Sequence, residues 1–454
     1  MKKVVSFILI VVFVLSLISG CGISDDSVKY YGDEVSNETL RICIDCTAFD
    51  SSPTAFPEHL EKLLENLVEE LKSSCGIEKV VFEILPDAGT ERDTVLQRLR
   101  TEIMAGGGPD VFFMETNLDT LASEVSAGLS NRQSLFIFPE KNMESGVFLP
   151  LDDYMTNSTQ FTDWSKQTKA VMEAGRSDEG QVIIPLTYTM PIWVYPKNEV
   201  DPSVSEMSMW EILENRETAG LGAVLYSSKT KTDNSDHQFI RLNLPFMLGR
   251  LADYETEKLL FTEDELYSIT KTSICLQDDI EEQQLTYLES GAEYDLICQI
   301  NLQYFDTEMT LVPLYSKNGG VTASIRSYAA INRNTKLPKE AFSVIDYIMQ
   351  EDMQRSSDFY SSCFVDGLPM QHDLGQQGKS LRATSNPERV LAEPYFEDLL
   401  KIKEQITDVN FQTGLDSVLR ELMDTLTLEY DSGGGIQRKH VTEAYERMER
   451  MMGE

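Results

Sequence analysis

The chain has 454 residues, 41% of them apolar and 25% charged, which excludes a collagen-like or wholly disordered chain. There are 75 Asp and Glu against 39 Lys and Arg, a formal charge of −36, which argues against a binder of nucleic-acid phosphates. Length alone allows two large lobes or about three domains, with ample room for a buried core.

The first segment reads as an address. Met1-Lys2-Lys3 is a short basic start, and the apolar run from Val4 to Ile18 is too short for a spanning helix, which needs about 20 residues. Ile18-Ser19-Gly20-Cys21 resembles a bacterial lipobox, in which the cysteine is lipidated after cleavage. Residues 1–20 are thus expected to be a signal peptide. The polar run that follows, to residue 37, is expected to be a flexible tether. No later stretch is long and apolar enough to span a bilayer.

Beyond the tether, strands and helices alternate. Thr39–Cys46 reads as a strand. Pro57–Leu71 reads as a helix, with Leu60, Leu63, Leu64, Leu67, Val68 and Leu71 on one face. Lys79–Leu85 is a second strand and Arg92–Met104 a second helix, stopped by Gly106-Gly107-Gly108-Pro109. The glycine cluster lacks a Gly-Lys-Ser/Thr ending and precedes a strand, so it is a helix end and turn and not a phosphate loop. Asp110–Met114 is a short buried strand and Leu118–Gly128 another helix. Such alternation implies a parallel sheet, with ligands beyond the carboxyl ends of the strands. Further strands are expected at Val182–Tyr195, Gly222–Ser227, Tyr294–Ile300, Met309–Tyr315 and Ser324–Asn332. Helices are expected at Trp210–Asn215, Ala341–Met349, Pro394–Ile406, Gly414–Leu428 and Ile436–Met452.

Six cysteines remain after Cys21. Cys43-x-x-Cys46 falls on a strand, where positions three apart diverge, so a plain pair of thiols is favoured over a metal or redox site. The four histidines are scattered and form no ligand cluster. No nucleophile elbow, zinc set or local acid/base pair marks an enzyme, and the composition calls for no cofactor.

The run Ala105-Gly-Gly-Gly-Pro-Asp110-Val-Phe-Phe-Met, set between two helices, resembles the bacterial extracellular solute-binding proteins of family 1, the maltose-binding-protein class. Val182-Ile-Ile-Pro185 with Val194-Tyr195-Pro-Lys197 is similar to another family segment, although Pro196 stands where the family has asparagine. Ala329-Ala-Ile-Asn-Arg-Asn334 and Gly367-Leu-Pro369 extend the likeness. The resemblance implies a two-lobed, periplasmic-binding-protein-like α/β fold of class II, with mostly parallel sheets. Lobe 1 would comprise residues 38–187 and 318–370, and lobe 2 residues 188–317 and 371–454. Hinges would lie near Tyr188–Tyr195 and Leu314–Ala323. It also implies an anchored monomer at the outer face of the membrane, capturing a solute, most simply a carbohydrate, for the permease of an ABC importer. A sensor-linked binding protein and a surface glycosidase are the alternatives.

Site residues follow by matching segments. Phe49 and Asp50 follow the first strand. Glu115 and Asn117 follow the Gly-Pro-Asp strand, where Met114 replaces the family's aromatic. Tyr188, Thr189 and Trp193 lie on the crossing segment, whose aromatics can stack on sugar C–H faces. Tyr226 and Tyr304 end lobe-2 strands, and Arg326 at the return to lobe 1 can clamp an anionic group.

Overall fold

The computed structural model describes residues 28–45, 56–86, 89–116, 133–196, 206–208, 211, 244–275, 292–293, 309–356, 367–373 and 393–453. The helices expected at 118–128 and 210–215 and the strands at 222–227 and 294–300 fall wholly or almost wholly outside them.

Alternating buried elements build the first sheet. β1 (Lys29–Gly32), β2 (Leu40–Asp45), β3 (Val80–Ile84) and β4 (Val111–Glu115) are separated by helices α1 (Phe56–Cys75) and α2 (Gly89–Met104). β2 lies between β3 and β4 and is parallel to both. All five residues of β3 and of β4 are buried, so these strands read as continuous apolar runs. Leu64, Leu67, Val68 and Leu71 of α1 are buried, at the spacing that the leucine pattern requires.

β1 corrects the expectation of a tether to residue 37. It pairs antiparallel with β3, Lys29 opposite Ile84 and Gly32 opposite Val81. Val28 is packed in the core. Asp33 accepts the Val80 N–H at 2.9 Å and pairs with Lys72 at 3.0 Å. Gly32 has φ +116°, and a Cβ there would lie 2.4 Å from the Val80 carbonyl oxygen. Polar composition conceals such a strand because an edge strand is held by main-chain bonds and needs little apolar surface.

After β4 the chain forms α3 (Pro139–Glu144), α4 (Asp152–Asn157), α5 (Lys169–Glu173) and a small hairpin, β5 (Arg176–Ser177) with β6 (Gly180–Gln181). β7 (Ile183–Thr189) and β8 (Pro191–Pro196) divide the long apolar run at Met190. β9 (Ala252–Asp253), β10 (Lys258–Leu259), α6 (Glu263–Cys275), β11 (Ala292–Glu293) and β12 (Met309–Pro313) follow. β13 (Val321–Ile331) is eleven residues long and buried throughout. It is followed by α7 (Pro338–Ile348), α8 (Glu351–Ser356), β14 (Leu368–Pro369), α9 (Glu393–Lys403), β15 (Ile406–Phe411), α10 (Gly414–Asp431) and α11 (Arg438–Gly453).

The large sheet runs β1-β3-β2-β4-β13-β7-β14, with β15 also paired to β13. β13 is antiparallel to β4 and β7 and parallel to β15. β15 is a strand the helical reading of 394–406 stops short of. It places part of the 371–454 stretch in the first sheet.

A second, three-stranded sheet, β11-β8-β12, is antiparallel. Among the described residues there are two separate apolar cores. One fills the large sheet and its helices. The other joins Leu248, Leu251, Phe261, Leu266 and Ile269 to Leu415, Leu419, Leu422 and Leu426 of α10 and Met448 and Met452 of α11. α10 starts with a capping box between Thr413 and Asp416. Met190 and Ile192 still belong to the first core; the chain reaches the second beyond Ile192, returns between Leu314 and Val321, and leaves the first again beyond β15. This is a two-lobed α/β architecture.

The motifs behind the family resemblance meet in space. Asn332 donates from Nδ2 to the carbonyls of Gly107 at 2.8 Å and Pro109 at 2.9 Å. Asp110 accepts the Arg41 N–H at 2.9 Å and the Thr335 hydroxyl at 2.6 Å. Cys43 is buried in β2 and Cys75 half-buried, both free thiols, while Cys46 lies outside the described residues. Burial pushes both thiols up, Cys75 to about 12.

Arg92 of α2, 1% exposed, grips Asp45 at the end of β2 with both terminal nitrogens, at 2.9 and 2.7 Å. It also donates to the carbonyls of Pro86 and Gln133. Arg92→Ala should therefore cost about 3–5 kcal/mol in urea unfolding, by stranding a buried carboxylate, and adding Asp45→Asn should recover part of it. A loss under about 1 kcal/mol would contradict this role for the pair.

Candidate functional site

Because β2 and β4 are parallel, Asp45 and Glu115 end on the same edge of the sheet, where ligands gather in such folds. β13 crosses that edge between β4 and β7. Its Ser327 lies opposite Glu115 on one side and Thr187 on the other. The Thr187 and Ser327 hydroxyls are 2.6 Å apart. A buried polar row thus runs across three strands. Thr116 extends it: its N–H donates to the Arg326 carbonyl at 2.8 Å, and its hydroxyl to the Ile325 carbonyl at 2.5 Å.

Thr189 lies two residues beyond Thr187 and shares its face. It is fully buried, and its Oγ1 makes no hydrogen bond among the described residues. On the other face of β13, Thr322, Ser324 and Arg326 alternate with apolar neighbours. The Thr322 and Ser324 hydroxyls likewise lack described partners. Arg326 is 8% exposed and donates from Nη1 to Gln412 Oε1 at 3.0 Å. A buried hydroxyl without a partner carries a desolvation cost, so the edge holds hydrogen-bonding capacity in reserve.

Of the residues singled out in the sequence, Glu115 and Thr189 lie on the strands that flank β13, and Arg326 lies on β13 itself, on the face opposite the row. Tyr188 sits on β7 beside them but is fully buried. Its hydroxyl lies 3.4 Å from Thr168 Oγ1, and the Lys403 ammonium stands 6.0 Å from its ring centre. Burial pushes the Tyr188 hydroxyl up and pulls the Lys403 ammonium down to about 7. Trp193 is in β8, its backbone opposite Val312. Cys21, Phe49, Asp50, Asn117, Tyr226 and Tyr304 lie outside the described residues.

Sequence reasoning missed Glu140 and Gln412. Glu140 opens α3 on the first lobe, next to Phe138, whose ring meets Tyr254 of the second core at 5.8 Å. Lys141 donates to the Met452 carbonyl at 2.6 Å, so this segment bridges the lobes. The Glu140 Oε2 atom is buried and makes no hydrogen bond among the described residues. Burial pushes its carboxyl up to about 8, against the pull of backbone N–H groups and the Arg250 charge, and Asp416 adds to the rise. Nothing in the local sequence marks this acid, because its burial depends on a lobe contact between distant segments.

Among the described residues no three His, Cys, Asp or Glu side chains gather as a metal ion would need. A cavity of about 600 Å³ lies at the other edge of the sheet, between Tyr30, Arg41, Arg98, Glu102 and Gly106–Gly108. It stands at the amino ends of the strands, away from the polar row.

Solved structures match almost the whole chain. An oligogalacturonide binding protein from Yersinia enterocolitica is 12% identical with a TM-score of 0.54, covering 91% of this chain and 99% of its own. An extracellular solute-binding protein of family 1 from Alicyclobacillus acidocaldarius is 13% identical with a TM-score of 0.54, covering 93% and 100%. An ABC-transporter solute-binding protein from Thermotoga lettingae, bound with α-D-tagatose, is 13% identical with a TM-score of 0.51, covering 91% and 100%. A de novo designed cysteine esterase also matches. At these identities the likeness establishes the fold: that of the two-lobed solute-binding proteins. No protein-family model matches the sequence, and neither does any curated protein.

Glu140 sets a pH dependence. Its carboxyl is near 4.5 in the unfolded chain and about 8 in the fold, so the fold binds the extra proton between those values. Stability is full below 4.5 and is lost as pH rises toward 8. Glu140→Gln should remove that slope, and melting temperatures of the two proteins should diverge from pH 5 to 8, the variant being the more stable at the upper end. Parallel curves would refute it.

Proposed function

We propose that this chain is a lipid-anchored extracellular solute-binding protein of an ABC importer, which takes an oligosaccharide or related carbohydrate between its lobes and passes it unchanged to a membrane permease. The observation that carries this reading is the buried polar row on β4, β13 and β7 at the carboxyl edge of the first lobe, in a fold with two separate apolar cores among the described residues. A lipobox-like Cys21 supports the anchor, and an acidic surface suits an exported, soluble body. The solved neighbours named above include proteins for oligogalacturonide and tagatose, which supports a carbohydrate ligand.

In this reading the hinges lie near Tyr188–Tyr195 and Leu314–Ala323. Closure is driven by contacts that the ligand makes only with the closed lobes. Thr189 and Glu115 supply hydroxyl and carboxylate partners to sugar hydroxyls, and Arg326 supplies a guanidinium that also suits an acidic sugar. Trp193, Phe49, Tyr226 and Tyr304 are the proposed stacking surfaces, and Asp50, Asn117 and Tyr188 the remaining proposed contacts. No bond is made or broken. A sensor-linked binding protein would use the same cleft and differ only in its membrane partner.

The test is a thermal-shift screen of the exported domain against carbohydrates, amino acids, polyamines and phosphate esters. A binding sugar at a hundred times its Kd should add about 2.7 kcal/mol to stability. Arg326→Ala and Glu115→Gln should each weaken that sugar by about tenfold or more, the loss of one buried charged hydrogen bond. A shift from another solute class with none from sugars would overturn the carbohydrate assignment.

A further inference from the structure

Glu140 lies where the two cores meet, and ligand capture leaves it unused. Its segment is rooted in the first lobe. Phe136 packs edge-on against Phe112 at 5.1 Å and Phe148 at 5.0 Å, and Pro139 and Met143 are buried. The same segment presents Phe138, Glu140 and Lys141 to the second core. The Phe138 ring meets Tyr254 at 5.8 Å, and the Lys141 ammonium donates to the carbonyls of Met451 at 3.4 Å and Met452 at 2.6 Å.

The surroundings of the Glu140 carboxyl hold little positive charge. From the second lobe come the exposed Arg250, the buried Tyr254 phenol and the buried Asp416. Asp416 is fixed in its capping box, where it accepts the Thr413 N–H at 2.8 Å. From β13 comes the buried Tyr328 phenol. On its own helix, Lys141 serves the carbonyls of α11, and Glu144 is exposed, near Asp178 and Glu255. The backbone N–H groups of Glu140 and Phe411 serve the carboxyl, but Oε2 is buried and makes no hydrogen bond among the described residues.

We propose that Glu140 is a proton-operated latch between the lobes: with its proton, the contact of 138–141 with Tyr254, Asp416 and α11 stays joined, and without it the contact parts and the angle between the lobes changes. A carboxylate shut away beside Asp416 is costly, and an opening that admits water relieves that cost. The two sides of the contact belong to different cores, so they can separate while each core stays intact. The direction follows from where the proton is held. Burial pushes the joined carboxyl up to about 8, whereas water returns it toward 4.5. Between those values only the joined contact keeps its proton, so rising pH favours parting, and above about 8 the effect levels off. A solute that fits only the joined arrangement is then held in acid and let go as the pH rises. The latch acts on the lobe angle whatever the solute, so its test needs no ligand and stands apart from the carbohydrate reading.

The experiment is single-molecule energy transfer in the ligand-free chain from pH 5 to 9. Fluorophores are attached through unnatural residues replacing Met104 in the first lobe and Leu428 on α10, 88% and 70% exposed. The ratio of parted to joined molecules should rise by up to about tenfold per pH unit and level off near 8. Glu140→Gln, neutral at every pH, should keep the joined distance throughout. Arg250→Gln removes the attraction that favours the carboxylate and should move the plateau to higher pH. Glu144→Gln, an exposed acid on the same helix, should leave the transition in place. A parent distance that is constant across this range overturns the latch, as does a transition that survives in Glu140→Gln. Should Glu140→Gln fail to fold, a plateau that stays or moves down in Arg250→Gln overturns it equally.

Discussion

Eleven consecutive buried residues in β13 impose a strict accounting on the backbone. Every N–H and C=O along the strand is cut off from water and must find a partner. β4, β7 and β15 supply those partners from three distant parts of the chain. This pairing sets Glu115, Ser327 and Thr187 side by side. A slip of one residue would turn Ser327 to the opposite face and break the row. The strand that closes the first lobe also receives the crossing from the second core, through Leu314 to Gly320.

The polar groups on that scaffold are treated unequally. Asp45 is held by a bidentate guanidinium and serves to fix the end of β2. Thr189, Thr322 and Ser324 keep hydroxyls buried without described partners. Glu140 adds a carboxyl that the fold holds largely protonated near neutral pH. Such groups cost stability, and a well-packed first core is what lets the edge carry them. They lie on β7, on β13 and at the contact between lobes, and others lie on helices, at Ser273 of α6 and Thr427 of α10.

Much of the first lobe was readable from local pattern. The leucine spacing of α1, the apolar runs of β3 and β4 and the α10 helix all follow from periods of 3.6 and 2. The Gly-Gly-Gly-Pro-Asp motif carried information because it is a stitch: Asn332 closes on Gly107 and Pro109, and Asp110 ties β2 to Thr335. Of the residues chosen from the sequence, Glu115, Thr189 and Arg326 fall on β4, β7 and β13. β1 was hidden because its surface is polar and its bonds are main-chain. β15 was hidden because six residues directly after a helix blur the change of period. Glu140 and Gln412 acquire their surroundings from segments far apart in the chain, 86 residues for Gln412 and Arg326, which no local window contains.

The position of β1 has one more result. β3 is buried along its whole length, Val-Val-Phe-Glu-Ile, and among the described residues β1 is the strand on its outer side in the sheet order. A four-residue strand bearing Lys29 and ending at a left-handed glycine is a poor template for another chain. Proteolytic trimming past residue 32 would expose a flat apolar edge in its place. The trimmed protein would then tend to join edge to edge into aggregates, so β1 also guards solubility.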